Sequence, residues 1–331
     1  MPKKQVTSID VAKFAGVSQP TVSRAFDPNS PVSPETRARV LTAAKQLGYQ
    51  PNVIARSLKS RSTNIIGIVL ANITNSLFYP NVLEQLTYQL QERGKQTLLF
   101  NLRPDQPVDD ILPRVLGYQV DGLIIASTTP SHEIVNKCVS NGTPVVLFNR
   151  YMPGSRAHTI SCDSETATRH IANVLLDAGH KRLAYIAGIE NTETNRQREK
   201  GFTEQLQARG YKGLLREQGD YTYESGRTAA RRLLQRDEPP DAIFCAADIM
   251  ALGAMDVARY ELGIHIPEAL SIIGFDDIPV AGWPAYNLTT IRQPITDMVN
   301  TVIELLDVQN TDTGQLVQLP GELILRQSAR L

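Results

Sequence analysis

Ser18-Gln19-Pro20-Thr21-Val22-Ser23-Arg24 gathers short hydroxyls, an amide and a guanidinium into one brief run. Such groups together exchange hydrogen bonds with base edges and phosphate oxygens. A second set of polar and aromatic residues stands where apolar runs end. It comprises Asn72 to Phe78, Asn149-Arg150, Thr194 to Arg198, Gly219-Asp220-Tyr221, Gly274-Phe275-Asp276-Asp277 and Arg292-Gln293. Guanidinium, carboxylate and amide groups beside aromatic faces suit an oxygen-rich small molecule. Covalent chemistry finds no such support. There is no GxGxxG after a strand, no GxxxxGK[ST], no HExxH and no GxSxG. Cys138, Cys162 and Cys245 form no CxxC or Cys/His ligand set and read as buried free thiols in a reducing cytoplasm. No catalytic residue, metal site or cofactor is therefore expected.

The elements that must position these residues are legible. Thr7, with Asp10 three residues on, comes close to a capping box, and Ser18 offers a second N-cap with Pro20 in the first turn. Gly16 lies between them at a tight corner, so helix, glycine turn and helix give a helix-turn-helix. A third helix starts at Ser33-Pro34-Glu35, shows Val40, Leu41, Ala44 and Leu47 on one face, and stops at Gly48. Beyond Asn64 the chain alternates strands and helices. Strands are expected at 65–70, 97–101, 122–126, 145–149 and 160–162, then at 183–187, 214–217, 242–245 and 271–275. Helices are expected at 78–93, 165–178, 201–209, 225–234 and 249–262. Two successive sets of strands with their own crossovers imply two lobes, each a parallel sheet with helices on both faces.

Charge is unevenly spread. The net charge is zero, yet residues 1–61 carry ten Lys/Arg against three Asp/Glu, a net +7, which leaves −7 for the rest. A basic head on an acidic body suggests a polyanion partner for the head alone. No apolar run reaches membrane-spanning length, and no signal peptide follows Lys3-Lys4, so a soluble cytoplasmic protein is expected.

The runs TSIDVAKFAGVSQPTVSRAF and SPETRARVLTAAKQLGYQPNVIARSLKSRST resemble the head and hinge of the lactose/galactose repressor (LacI/GalR) family, and the likeness continues through the body. The resemblance implies an α/β fold. A three-helix helix-turn-helix head (1–50) and a hinge helix with linker (51–63) precede a two-lobed, type I periplasmic-binding-protein-like body with two Rossmann-like sheets. The first lobe would span 64–161 with 293–315 returning to it, the second 162–292 with 316–331 returning.

It further implies that Gln19 and Pro20 read bases, Pro20 offering only apolar contact such as a thymine methyl, and that Arg24 meets a base or phosphate. Thr7, Ser18, Thr21 and Ser23 would be phosphate and capping residues. In the hinge, Asn52, Ala55, Arg56, Leu58 and Lys59 match the family motif, with Leu58 as a minor-groove wedge. A helix that short is not stable alone. Expected effector contacts are Asn75, Leu77, Phe78, Asn149, Arg150, Arg196, Arg198, Tyr221, Asp248, Asp276 and Gln293. Ala247 stands where several relatives carry an asparagine, so the effector either lacks a hydroxyl there or uses Asp248 instead. The expected partners are double-stranded operator DNA, a sugar or sugar acid, and a second copy of the chain in a homodimer, without a membrane. The rival reading is a cytoplasmic sugar-binding or sugar-modifying protein whose basic head does something else.

Overall fold

The computed structural model describes residues 6–27, 30–50, 62–71, 77–103, 106–126, 129–190, 192–308 and 313–331. Asn52, Ala55, Arg56, Leu58, Lys59 and Asn75 lie outside the described residues. The chain divides into two compact units, 1–63 and 64–331.

In the first unit, Thr7 caps α1 (Ser8–Ala15) in a full capping box: its N–H donates to Asp10 Oδ2 at 2.9 Å, and its Oγ1 accepts from the Asp10 N–H at 3.4 Å. Gly16 closes α1 in the left-handed region at φ 64°. Ser18 caps α2 (Gln19–Ala25), whose first turn accommodates Pro20, and Ser33 caps α3 (Pro34–Leu47). Val11, Ala15, Val22, Ala25, Val40 and Ala44 form the core of this unit. Leu41 is exposed and Ala43 takes the inward position, because 40, 43, 44 and 47 share the stripe that a 3.6-residue repeat turns inward. Arg37 donates through Nη1 to the carbonyls of Ala25 at 2.6 Å and Asp27 at 2.7 Å, and through Nη2 to that of Ser30 at 3.0 Å.

The second unit holds two parallel sheets. The first contains β1 (Ile65–Ala71), β2 (Gln96–Leu102), β3 (Gly122–Ala126), β4 (Val145–Phe148), β5 (His158–Asp163) and β11 (Leu316–Pro320), in the order β11-β5-β4-β3-β1-β2. Its crossovers are α4 (Phe78–Glu92), α5 (Val108–Gly117) and α6 (His132–Ser140). The second sheet, β7-β6-β8-β9, is built from β6 (Leu183–Ala187), β7 (Leu215–Gln218), β8 (Ala242–Cys245) and β9 (Ser271–Ile273). With it run α7 (Ser164–Asp177), α8 (Glu193–Ala208), α9 (Tyr223–Leu234) and α10 (Asp248–Asp256), which continues as one π turn over Val257–Glu261. Strands β3, β4, β6 and β8 are buried at every position, as continuous apolar runs covered on both faces must be.

A small antiparallel pair, β10 (Thr290–Arg292) with β12 (Glu322–Ile324), lies outside both sheets, and α11 (Ile295–Leu306) packs on β3, β4 and β5. One boundary needs correction. Residues 316–320 do not return to the second lobe: they pair in parallel with 159–163 at the edge of the first sheet. Only further on does the tail reach the second sheet, where the Ile272 N–H donates to the Ser328 carbonyl at 2.8 Å.

Candidate functional site

Helix α2 turns two faces in opposite senses. Val22 and Ala25 are buried, while Gln19, Pro20, Ser23 and Arg24 are exposed and Thr21 is half-buried. Ser18 and Thr21 hydroxyls lie 2.8 Å apart, and Gln19 Nε2 donates to Ser8 Oγ at 3.3 Å, which steadies the amide against α1. A polar helix N-terminus held on a small rigid core is a surface fit to enter a groove.

In the second unit the strand ends converge on a cavity of about 770 Å³, its open mouth included. Ala71, Leu77, Phe78 and Tyr79 line it beside the first sheet, and Ile189, Ile249 and Ile278 beside the second. Its polar side is one hydrogen-bonded chain. Asn149 Nδ2 donates to Gln293 Oε1 at 2.8 Å, and Gln293 Nε2 donates to Asp276 Oδ1 at 2.7 Å. Arg198 Nη2 reaches the same oxygen at 3.2 Å, while its Nη1 donates to the Ala246 carbonyl. The guanidinium carbon lies 3.7 Å from the Phe275 ring centroid, a cation–π contact. Burial works against the charge on Arg198, but the Asp276 carboxylate, with smaller contributions from Tyr221, Cys162 and Tyr185, more than restores it. Burial pushes the Asp276 carboxyl up, and Arg198 and Gln293 pull it back. A second bridge joins the same two sides: Arg150 Nη1 donates to Thr194 Oγ1 at 2.7 Å and to the Asn149 carbonyl at 2.9 Å.

Three lining residues that are not glycine hold positive φ: Asn149 at 53°, Tyr221 at 65° and Asp276 at 130°. Such conformations cost about 1–3 kcal/mol each and persist where the surroundings over-determine them. Tyr221 is fixed over Gly188, where an added Cβ would lie 2.0 Å from the ring Cζ. Asp276 is held through its N–H, donated to the Ile291 carbonyl at 2.8 Å.

Leu77, Phe78, Asn149, Arg150, Arg198, Tyr221, Asp276 and Gln293 thus meet as expected. Two expected contacts do not. Arg196 points outward on α8, its side chain 63% exposed and its Nε 3.2 Å from Glu193 Oε2. Two residues earlier on a helix is roughly half a turn away from the Arg198 face. Asp248 is wholly buried behind the pocket wall, its carboxyl taken by Thr290 Oγ1 and the Ile278 N–H. Thr194 and Asp220, which stand in the polar segments named above but not among the expected contacts, also line the cavity, as do Ile249 and Ile278. Thr194 and Asp220 each stand within four residues of a predicted contact, which is the signal that could have found them.

The three thiols are free and buried, with burial pushing Cys138 up to about 11 and Cys162 up to about 12. Among the described residues no cluster of His, Cys, Asp or Glu could hold a metal, and no helix is long and apolar enough to cross a membrane.

A helix-turn-helix unit followed by a two-sheet body with a polar pocket defines a DNA-binding regulator that answers to a small molecule. Residues 8–52 match the family of bacterial regulatory proteins, lacI family, and residues 172–329 match the periplasmic binding protein-like domain. The chain is 34% identical to catabolite control protein A of Priestia megaterium, over 98% of this chain and 99% of that one. It superposes on the lac repressor dimer bound to operator and the anti-inducer ONPF with a TM-score of 0.86 and 26% identity, over 98% of this chain and 99% of that one. The transcriptional regulator CelR in complex with cellobiose is 30% identical, with a TM-score of 0.70, over 98% of this chain and 100% of that one. The chain belongs to the LacI family. It is a transcriptional regulator, not an enzyme.

Proposed function

We propose that this regulator acts in the cytoplasm as a homodimeric repressor of a carbohydrate-utilisation operon, binding a palindromic operator and released or recruited by a sugar. Two-fold symmetry of the protein calls for a palindrome. Gln19 and Pro20 are its base-reading residues, Arg24 a base or phosphate contact, and Thr7, Ser18, Thr21 and Ser23 its phosphate-facing hydroxyls. Asn52, Ala55, Arg56, Leu58 and Lys59 form the hinge. Leu58→Gly is expected to weaken operator binding while sparing random DNA, read by fluorescence anisotropy; equal loss on both removes the wedge.

The observation that carries the effector reading is the Asn149–Gln293–Asp276–Arg198 chain beside the apolar wall of Phe78 and Ile249. Donors and acceptors alternate along it, as sugar hydroxyls require, and Phe78 and Tyr221 supply faces for a ring. Arg198 is paired to Asp276, Arg196 lies outside, and the other charged lining residues, Arg150 and Asp220, are opposite in sign, so the pocket favours a neutral sugar over a sugar acid. The test is a thermal-shift screen of neutral sugars, sugar acids and sugar phosphates on wild type and Asp276→Asn. A ligand at 100 times its Kd stabilises by about 2.7 kcal/mol. Neutral sugars should stabilise only the wild type. Stabilisation by acids or phosphates alone, or equally in the variant, overturns the reading.

A further inference from the structure

Two carboxyl groups, Asp248 and Asp276, are buried where α10, β10 and the 274–278 turn meet, and among the described residues a cation pairs with Asp276 alone. Asp248, the first residue of α10, is 0% exposed. Its N–H donates to the Phe275 carbonyl at 2.8 Å, and its Oδ2 accepts from the Ile278 N–H at 2.9 Å. Its Oδ1 lies 2.5 Å from Thr290 Oγ1, a hydroxyl that donates to an ionised carboxyl and accepts from a protonated one. Gly274 makes the room, for a Cβ there would stand 2.1 Å from Asp248 Oδ1. One side chain thereby fastens the turn that carries Asp276 to the strand on its other side.

The charges around it do not balance if every carboxyl is ionised. Arg198, from α8, is committed to Asp276. Asp277 is served separately by Arg292 of β10 and Arg326 of the tail, each at 2.7 Å. Among the described residues the Asp248 carboxyl is hydrogen-bonded to one hydroxyl and one amide N–H, with the buried Cys245 thiol nearby. A second buried anion without a cation of its own is costly, and neutralisation is the usual escape.

We propose that Asp248 is a positioning residue that stays protonated at neutral pH, pinning the 274–278 turn so that Asp276 faces the effector, which Asp248 itself never touches. Burial and then the Asp276 charge push the Asp248 carboxyl well up, in keeping with this. The role rests on Asp276 being an effector contact, but the tests use no effector, so they stand or fall apart from the sugar screen.

In the infrared difference spectrum of wild type minus Asp248→Asn at pH 7, a protonated-carboxyl stretch is expected; a carboxylate signal alone overturns the proposal. Melting against pH gives a second readout. Between the ordinary carboxylate range and neutral pH the unfolded chain releases this proton while the folded chain keeps it, so wild-type stability falls as pH rises. From pH 5 to pH 7 the melting temperature of Asp248→Asn should therefore gain on wild type by up to roughly 3 °C per pH unit. Parallel curves overturn the protonated state. Asp248→Asn should keep the turn in a crystal structure and Asp248→Ala should displace it. Should the alanine variant not fold, Thr290→Val, which removes one of the anchors, is read the same way. A turn unmoved in the variant that is read removes the positioning role.

Discussion

Arg198 settles the charge of the pocket, because it is the guanidinium within reach of the buried Asp276 carboxylate. Removing one partner of a buried pair leaves the other uncompensated, at about 3–5 kcal/mol. Arg198→Ala should therefore lower the urea stability of the body by that order and abolish the effector response while leaving operator affinity in place. Arg196→Ala should change stability by no more than about 0.5 kcal/mol, since its pair with Glu193 is exposed. Full effector response in Arg198→Ala would refute the assignment. The choice between these two arginines is readable in the sequence. Phe202 and Leu206 mark the inward stripe of α8, and stepping back four residues from Phe202 lands on Arg198. Residue type alone pointed to both, and type does not carry register. Asp248 failed for another reason: its depth behind the wall depends on Gly274 and Thr290, both distant in the chain.

At the level of elements, α9 and α10 touch backbone to backbone. A Cβ at Gly226 of α9 would lie 2.2 Å from the Met250 carbonyl oxygen, and one at Gly253 of α10 would lie 2.3 Å from that of Tyr223. Gly226→Ala should force α9 and α10 apart and cost about 1–3 kcal/mol, as overpacking does; an unchanged urea midpoint would show that the crossing yields more easily. Such contacts join segments that sequence alone does not place side by side. What sequence does place are the continuous apolar runs, and 122–126, 183–187 and 242–245 coincide with β3, β6 and β8. Pro113 lies inside α5, where it obscures the helical signal in the sequence. The strand character of 316–320 was visible, but alternate half-exposure marks an edge without saying of which sheet.

For the molecule as a whole, the opposed charges of head and body make a quantitative claim about DNA. The logarithm of the affinity should fall linearly with the logarithm of salt, each neutralised phosphate contributing about −0.9 to the slope. A flat line in a filter-binding titration would return the rival reading, a sugar-binding protein with an unrelated basic head. The helix-turn-helix and the two parallel sheets follow from caps, periodicity and alternation, whereas the strand-end location of the pocket comes from the family resemblance and the general rule for open α/β sheets.

Arg37 bears on how that slope is to be counted. Its fork clasps the carbonyls that close α2 and the loop beyond, so this cation braces the joint between the second and third helices. A side chain occupied inside the scaffold displaces no counterions from the duplex. The ten basic residues of 1–61 therefore overstate the head's grip. Arg37→Ala should loosen the reading helix, and lose sequence discrimination, before it changes the ionic-strength dependence.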